Sequence, residues 1–193
     1  MDPRVARTRA SLQHALLSLA QEGGLDAVSV GTITDRAGVN RSTFYQHYDD
    51  KDTLLADALE AAMSELGDSF SGELGADGIP VEFHGYLEHV RDNADVYREV
   101  LGDRGSAVVM SRLRRRLDTL IVGSITAAPE NPYAGVPLDV VSAGLSGAAL
   151  GVVGAWLKLE PLPPVSDAAA WMWAVITGAG GSVAPASART ATS

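Results

Sequence analysis

The chain has 193 residues, 46% of them hydrophobic and 20% charged, with a net charge of −9 and no cysteine. That composition suffices for a globular core and excludes both a disulfide framework and a thiolate metal site. The negative sum argues against indiscriminate nucleic-acid binding, which needs a broad positive field, but it leaves room for a small basic surface on an acidic body.

The first segment, "DPRVARTRASLQHALLSLAQEGG", reads as a helix from Pro3 to about Glu22, with Asp2 a candidate N-cap and Pro3 in the first helical position. Leu12, Leu16, Leu19 and Ala20 repeat at helical spacing, and Gly23-Gly24 ends the run. Arg4, Arg7 and Arg9 cluster at its start. The apolar stretch of residues 15–20 is too short for an export signal, so the expected location is the cytoplasm.

In "SVGTITDRAGV", Ser29 caps a short helix whose Val30, Ile33 and Ala37 share one face. Gly38 stands where that helix must stop and the chain needs a left-handed residue. Asn40 is a strong N-cap for the next segment, so helix, turn and helix follow one another as in a helix-turn-helix. On a helix over residues 41–48, Phe44 and Tyr48 fall on one face and face the core. Ser42, Thr43, Tyr45 and Gln46 are left facing out, with hydroxyl and amide groups suited to phosphate oxygens and base edges. Asp50 caps a further helix with Lys51 in its first turn and Leu54 and Leu55 buried.

The stretch "TITDRAGVNRSTFYQHYDDKDTLL" resembles the DNA-binding signature of the TetR family of bacterial transcriptional regulators. The match lies at Ile33, Ala37, Gly38, Val39, Thr43, Tyr45, Lys51 and Leu54. The departures are Asn40 where the pattern has Ser, Tyr48 where it has Phe, and Thr34 where it has Ala. The resemblance implies an all-α protein: a three-helix DNA-binding domain with a helix-turn-helix over residues 1–50, then a helical effector-binding and dimerisation domain over 51–180. Residues 181–193 are expected to form a disordered tail. The implied function is regulation of transcription, usually repression, released when a small molecule binds the larger domain. The expected partners are double-stranded operator DNA, a second copy of the chain and an unidentified small-molecule effector. The expected DNA-binding residues are Arg4, Arg7, Thr32, Arg41, Ser42, Thr43, Tyr45, Gln46, His47 and Lys51. Of these, Gln46 can pair with adenine and Arg41 with guanine, whereas His47 is divided between phosphate contact and packing.

The remainder reads as a loop over residues 67–80, amphipathic helices over 81–101 and 106–128, a second loop, a helix over 136–160, and a last helix from Asp167 to about Gly178. A long helix, a proline-bearing loop and a Trp-rich helix also resemble the end of TetR-family chains, where the last two helices pair with those of a second subunit. Gly147, Gly151 and Ala155 form a small-residue stripe there, beside Trp156, Trp171 and Trp173. Ligand sites in bundles lie between helices, which makes Phe83, Tyr86, Tyr97, Met110, Leu113 and Trp156 the candidate pocket lining.

Several sharper readings fail. Residues 140–157 lack any charge, but more than half are Gly, Ala or Ser, and a dimer helix accounts for the run better than a membrane span. "GLSGA" at 144–148 approaches a nucleophile elbow, yet no histidine follows His89 to complete a triad. His14, His47, His84 and His89 form no metal-ligand pair, so no metal or cofactor is expected. In "RLRRRL", with Leu113, Leu117 and Leu120 as the inward row, the arginines are placed on the solvated side, with capture of an anionic ligand as the alternative. The rival functions are a similar regulator or coactivator controlled by a protein partner, and an enzyme, for which no catalytic constellation exists.

Overall fold

The computed structural model describes residues 3–68, 73–103, 105–127 and 133–178. These form α1 (Pro3–Gly23), a 3-10 turn (Leu25–Ala27), α2 (Val30–Ala37), α3 (Arg41–Tyr45), α4 (Lys51–Asp68), α5 (Val81–Asp92), α6 (Ala94–Val100), α7 (Ala107–Ala127), α8 (Leu138–Trp156) and α9 (Val165–Thr177). Among the described residues there is no strand, only an isolated bridge between Leu74 and Pro80. The expected cap Asp2, the tail 181–193 and parts of both expected loops lie outside the described residues.

Three expected boundaries move. The helix anticipated over 41–48 stops at Tyr45, because the chain tightens there: the His47 N–H bonds back three residues to the Phe44 carbonyl at 2.9 Å. The segment 81–101 is two helices, α5 and α6, divided at Asn93, whose side chain is buried and accepts a 3.0 Å bond from the Gln21 amide. No glycine or proline marks that break, so periodicity alone ran through it. The helix expected over 136–160 is shorter at both ends. Beyond it the Trp156 indole N–H donates to the Pro163 carbonyl at 3.0 Å, and α9 begins directly after Pro164.

The chain divides into two compact units, one of Met1–Glu65 with Asn93–Arg115 and one of Leu66–Asp92 with Arg116–Ser193. This division by compactness differs from the division by role at residue 50, since α6 and the first turns of α7 belong with α1 to α4. In the first unit α1 packs on α2, on α6 and on the 3-10 turn, and α2 packs on α3. Its core holds Leu12, Leu16, Ile33, Phe44, Leu54, Leu59, Tyr97 and Leu113. In the second unit α5 and α8 both pack on α9, around Leu87, Val90, Val153, Trp156, Ala168 and Met172. There the Phe83 ring stands edge-on to Trp173, centroids 5.6 Å apart. Helix α8 is long and apolar enough to cross a membrane by length and composition, with a mean hydropathy of 1.6. It buries Val141, Ser142, Ser146, Ala149, Val153 and Trp156 and leaves Val140, Ala143, Gly144, Gly147, Gly151 and Ala155 exposed along one edge.

Candidate nucleic-acid interface

Helix α2 is held at its start by a reciprocal cap: Ser29 Oγ accepts from the Thr32 N–H at 3.1 Å, and Thr32 Oγ1 accepts from the Ser29 N–H at 3.0 Å. Its C-terminal end closes at Gly38 with φ 68, a left-handed conformation that an L side chain resists. The turn then delivers Asn40, whose Oδ1 accepts from the Thr43 N–H at 2.8 Å and from the Ser42 and Thr43 hydroxyls at 2.7 and 2.8 Å. Helix α3 is only five residues long, too short to persist unaided. Phe44, fully buried, and Tyr48, 3% exposed, tie it into the core.

That arrangement leaves Arg41, Ser42, Tyr45 and Gln46 exposed, and Thr43 and His47 half-buried. Tyr45 is 58% exposed although its ring edges against Phe44 at 5.3 Å. No hydrogen bond among the described residues engages the Gln46 amide or the Tyr45 hydroxyl, whereas the Ser42 and Thr43 hydroxyls already serve Asn40. The Thr32 hydroxyl likewise donates to the Ser29 carbonyl at 2.9 Å. Lys51 is half-buried, its ammonium donating to the Leu25 carbonyl at 2.8 Å. A Cβ placed on Gly31 would lie 2.7 Å from Arg41 Nη2, so the Arg41 guanidinium rests over the first turn of α2. Arg4 and Arg7 are exposed near the start of α1.

Behind this face lies a polar network that the residue pattern did not disclose. Asp57, 8% exposed, receives Arg9 Nη2 on Oδ1 at 2.5 Å and, on Oδ2, the Tyr48 hydroxyl at 2.5 Å and the Gln13 amide at 2.7 Å. Arg112 is the correction to the solvated reading of "RLRRRL": Arg114 and Arg115 are exposed, but Arg112 pairs with Glu60 and lies 3.6 Å from Asp57 Oδ1. The signal was present in "LLADALE", where Asp57 interrupts the buried run of Leu54, Leu55, Ala56, Ala58 and Leu59; a carboxylate on an apolar face demands partners.

Burial pushes the Asp57 carboxyl upward, but the bonds from Arg9, Tyr48 and Gln13 outweigh it and hold it below its ordinary value. Burial, then the bond to Asp57, pushes the Tyr48 hydroxyl up to about 12 against the pull of Arg9. The depressed Asp57 contributes stability present above its unfolded value and lost as pH falls through the folded one. The raised Tyr48 contributes stability present below its unfolded value, about 10, and lost as pH rises toward about 12. In an alkaline titration followed by tyrosinate absorbance, one late tyrosine step near pH 12 should vanish in Tyr48→Phe. Superimposable curves for the two proteins would contradict this.

Residues 13–58 match the family model described as bacterial regulatory proteins, tetR family. Over this segment the chain resembles the TetR family. A curated relative, the "uncharacterized HTH-type transcriptional regulator YxbF" of Bacillus subtilis, is 36% identical over 69 residues, which are 35% of this chain and 18% of that regulator. Among solved structures, the dihydroxyacetone kinase operon activator DhaS aligns with TM-score 0.63 at 15% identity, over 89% of this chain and 95% of its own. FadR of Thermus thermophilus, a TetR-family repressor in complex with lauroyl-CoA, aligns with TM-score 0.59 at 15% identity, over 92% of this chain and 98% of its own. The TetR-like fold therefore extends beyond the matched segment, through the helices after α4.

The six residues expected to line an effector pocket are divided between the two units. Tyr97 and Leu113 are buried and Met110 half-buried in the first. Phe83 and Tyr86 are half-buried and Trp156 is buried in the second.

Proposed function

We propose that the protein is a homodimeric, cytoplasmic transcriptional regulator that reads operator DNA with α3, and that it acts as a repressor released by a small-molecule effector. The observation that carries the DNA-reading part is the exposed Tyr45–Gln46 pair on a short helix anchored by Phe44 and Tyr48. Gln46 suits a bidentate contact with adenine, and the Tyr45 hydroxyl suits a phosphate. Arg41, resting over the first turn of α2, suits a phosphate better than the guanine contact expected from its position in sequence. Few cations are left for the backbone: Arg9, Arg36 and Arg112 are spent on Asp57, Glu22 and Glu60. Non-specific affinity should therefore be weak and its salt dependence shallow, with specificity resting on base contacts.

Dimerisation is supported by the bare edge of α8. Among the described residues, a Cβ added at Gly144, Gly147 or Gly151 meets nothing within 4 Å, so no contact among them explains three helix-interior glycines that each cost about 1 kcal/mol relative to alanine. Close approach of a second helix does explain them. Control by a small molecule is supported by the likeness to FadR, whose structure holds lauroyl-CoA. Such an effector acts only through different affinities for the DNA-competent and incompetent states.

Selection from randomised duplexes tests the reading face. Tyr45→Phe should weaken binding to all sequences alike, whereas Gln46→Ala should relax preference at one position of each half-site, a contact worth about 1–3 kcal/mol. An unchanged preference in Gln46→Ala would show that another face reads the DNA.

A further inference from the structure

We propose that Asp57 is a positioning residue for DNA recognition: through the Tyr48 hydroxyl it sets the rotation of α3, and so which α3 side chains meet the base edges. The inference rests on the reading of α3 as the DNA-reading element.

Three observations lead to it. First, α3 cannot hold its own orientation, being five residues long. Asn40 fixes its N-terminal end with bonds to Ser42 and Thr43. Phe44 attaches it to the core only through apolar contact, which is non-directional and permits rolling. Tyr48 adds a directional bond just past the C-terminal end, at 2.5 Å. A phenyl ring would fill the same space, so the hydroxyl is there for its bond.

Second, the acceptor is itself held in place. Arg9 and Gln13 of α1 both bind Asp57, and Arg112 of α7 stands 3.6 Å away while also engaging Glu60 and, through Nη1, the Thr53 carbonyl at 3.3 Å. The Arg9 guanidinium also lies over the Tyr48 ring, 5.7 Å from its centroid. Two carboxylates face two guanidinium groups, so the cluster is neutral and every member is partnered, the condition under which a buried polar network is rigid. Third, the tether matters more for specificity than for attachment. Base contacts need placement within about 0.5 Å and 10–20°, whereas phosphate contacts tolerate more and carry no sequence information.

The test uses the full chain and a duplex recovered by selection from random DNA with the wild type, compared with a scrambled duplex of equal length. Tyr48→Phe should lower the preference for the selected duplex about tenfold, the scale of one hydrogen bond to a charged group, with little change on scrambled DNA. Gln13→Ala removes another donor from the same Oδ2 atom, and Gln13 makes no hydrogen bond to α3; it should lower Tm comparably and keep the preference. Wild-type preference in Tyr48→Phe, or an equal loss in Gln13→Ala, overturns the proposal, because the bond then matters only for stability. Should Tyr48→Phe fail to fold, Asp57→Asn keeps an acceptor without the charge, and a smaller loss of preference is expected; none overturns the proposal. A wild type that selects no duplex removes the reading of α3 itself, and this inference with it.

Discussion

Replacing Phe44 by alanine should weaken DNA binding by destabilising the first compact unit rather than by removing a contact. Phe44 is fully buried, and truncating such a ring costs about 3–5 kcal/mol. Domains of this size are stable by about 5–15 kcal/mol, so the loss takes from about a fifth to all of the margin. At about 4–8 °C per kcal/mol, Tm of that unit should fall by at least about 12 °C. Tyr45→Phe, one position away but mostly exposed, should leave Tm nearly unchanged. Circular dichroism melts of the two variants decide the matter, and a fall of only a few degrees for Phe44→Ala would mean that α3 is not anchored through that ring. The pair also separates the two faces of α3, one spent on packing and one left for a partner.

Leucine at Gly147 and Gly151 together should convert a dimer into a folded monomer. Nothing among the described residues approaches the Cβ position at either site, and both are exposed on one edge of α8, so the subunit should retain its helical signal. Two isobutyl groups would hold a partner helix away from a surface whose glycines permit close approach. Light scattering at micromolar concentration reads the change directly. Because two half-sites bound together gain about 10²–10⁴-fold over one, operator affinity should fall by at least about 100-fold while each monomer still carries its reading helix. A double variant that remains dimeric would place the interface on another surface. Alanine at the same two positions should raise subunit stability, since helix propensity improves and no intrachain atom objects.

Much of the first unit was legible because its signals are local. Ser29, Gly38, Asn40 and Asp50 act on backbone groups three residues away or on their own dihedral angles, and each does so where its place in the chain says it should. The inward set of α3 follows from a 3.6-residue period, which is why Phe44 and Tyr48 could be told from Tyr45 and Gln46. The break at Asn93 carries no glycine or proline to mark it, and the amide contact Asn93 makes there is with Gln21, 72 positions away in the chain.

The sequence by itself determined the helical class, the helix-turn-helix, the family resemblance and the outward face of α3, all of which depend on nearest neighbours and periodicity. Only the tertiary structure decided which charges are available to a partner. Arg9, Arg36 and Arg112 look alike as letters, yet each is committed to a carboxylate on another helix, and Lys51 is turned to a carbonyl of the 3-10 turn. Long flexible side chains choose partners by proximity in space, which no spacing along the chain encodes. The assignment of α6 and the first turns of α7 to the same unit as α1 to α4 has the same origin, because it depends on contacts between segments dozens of residues apart.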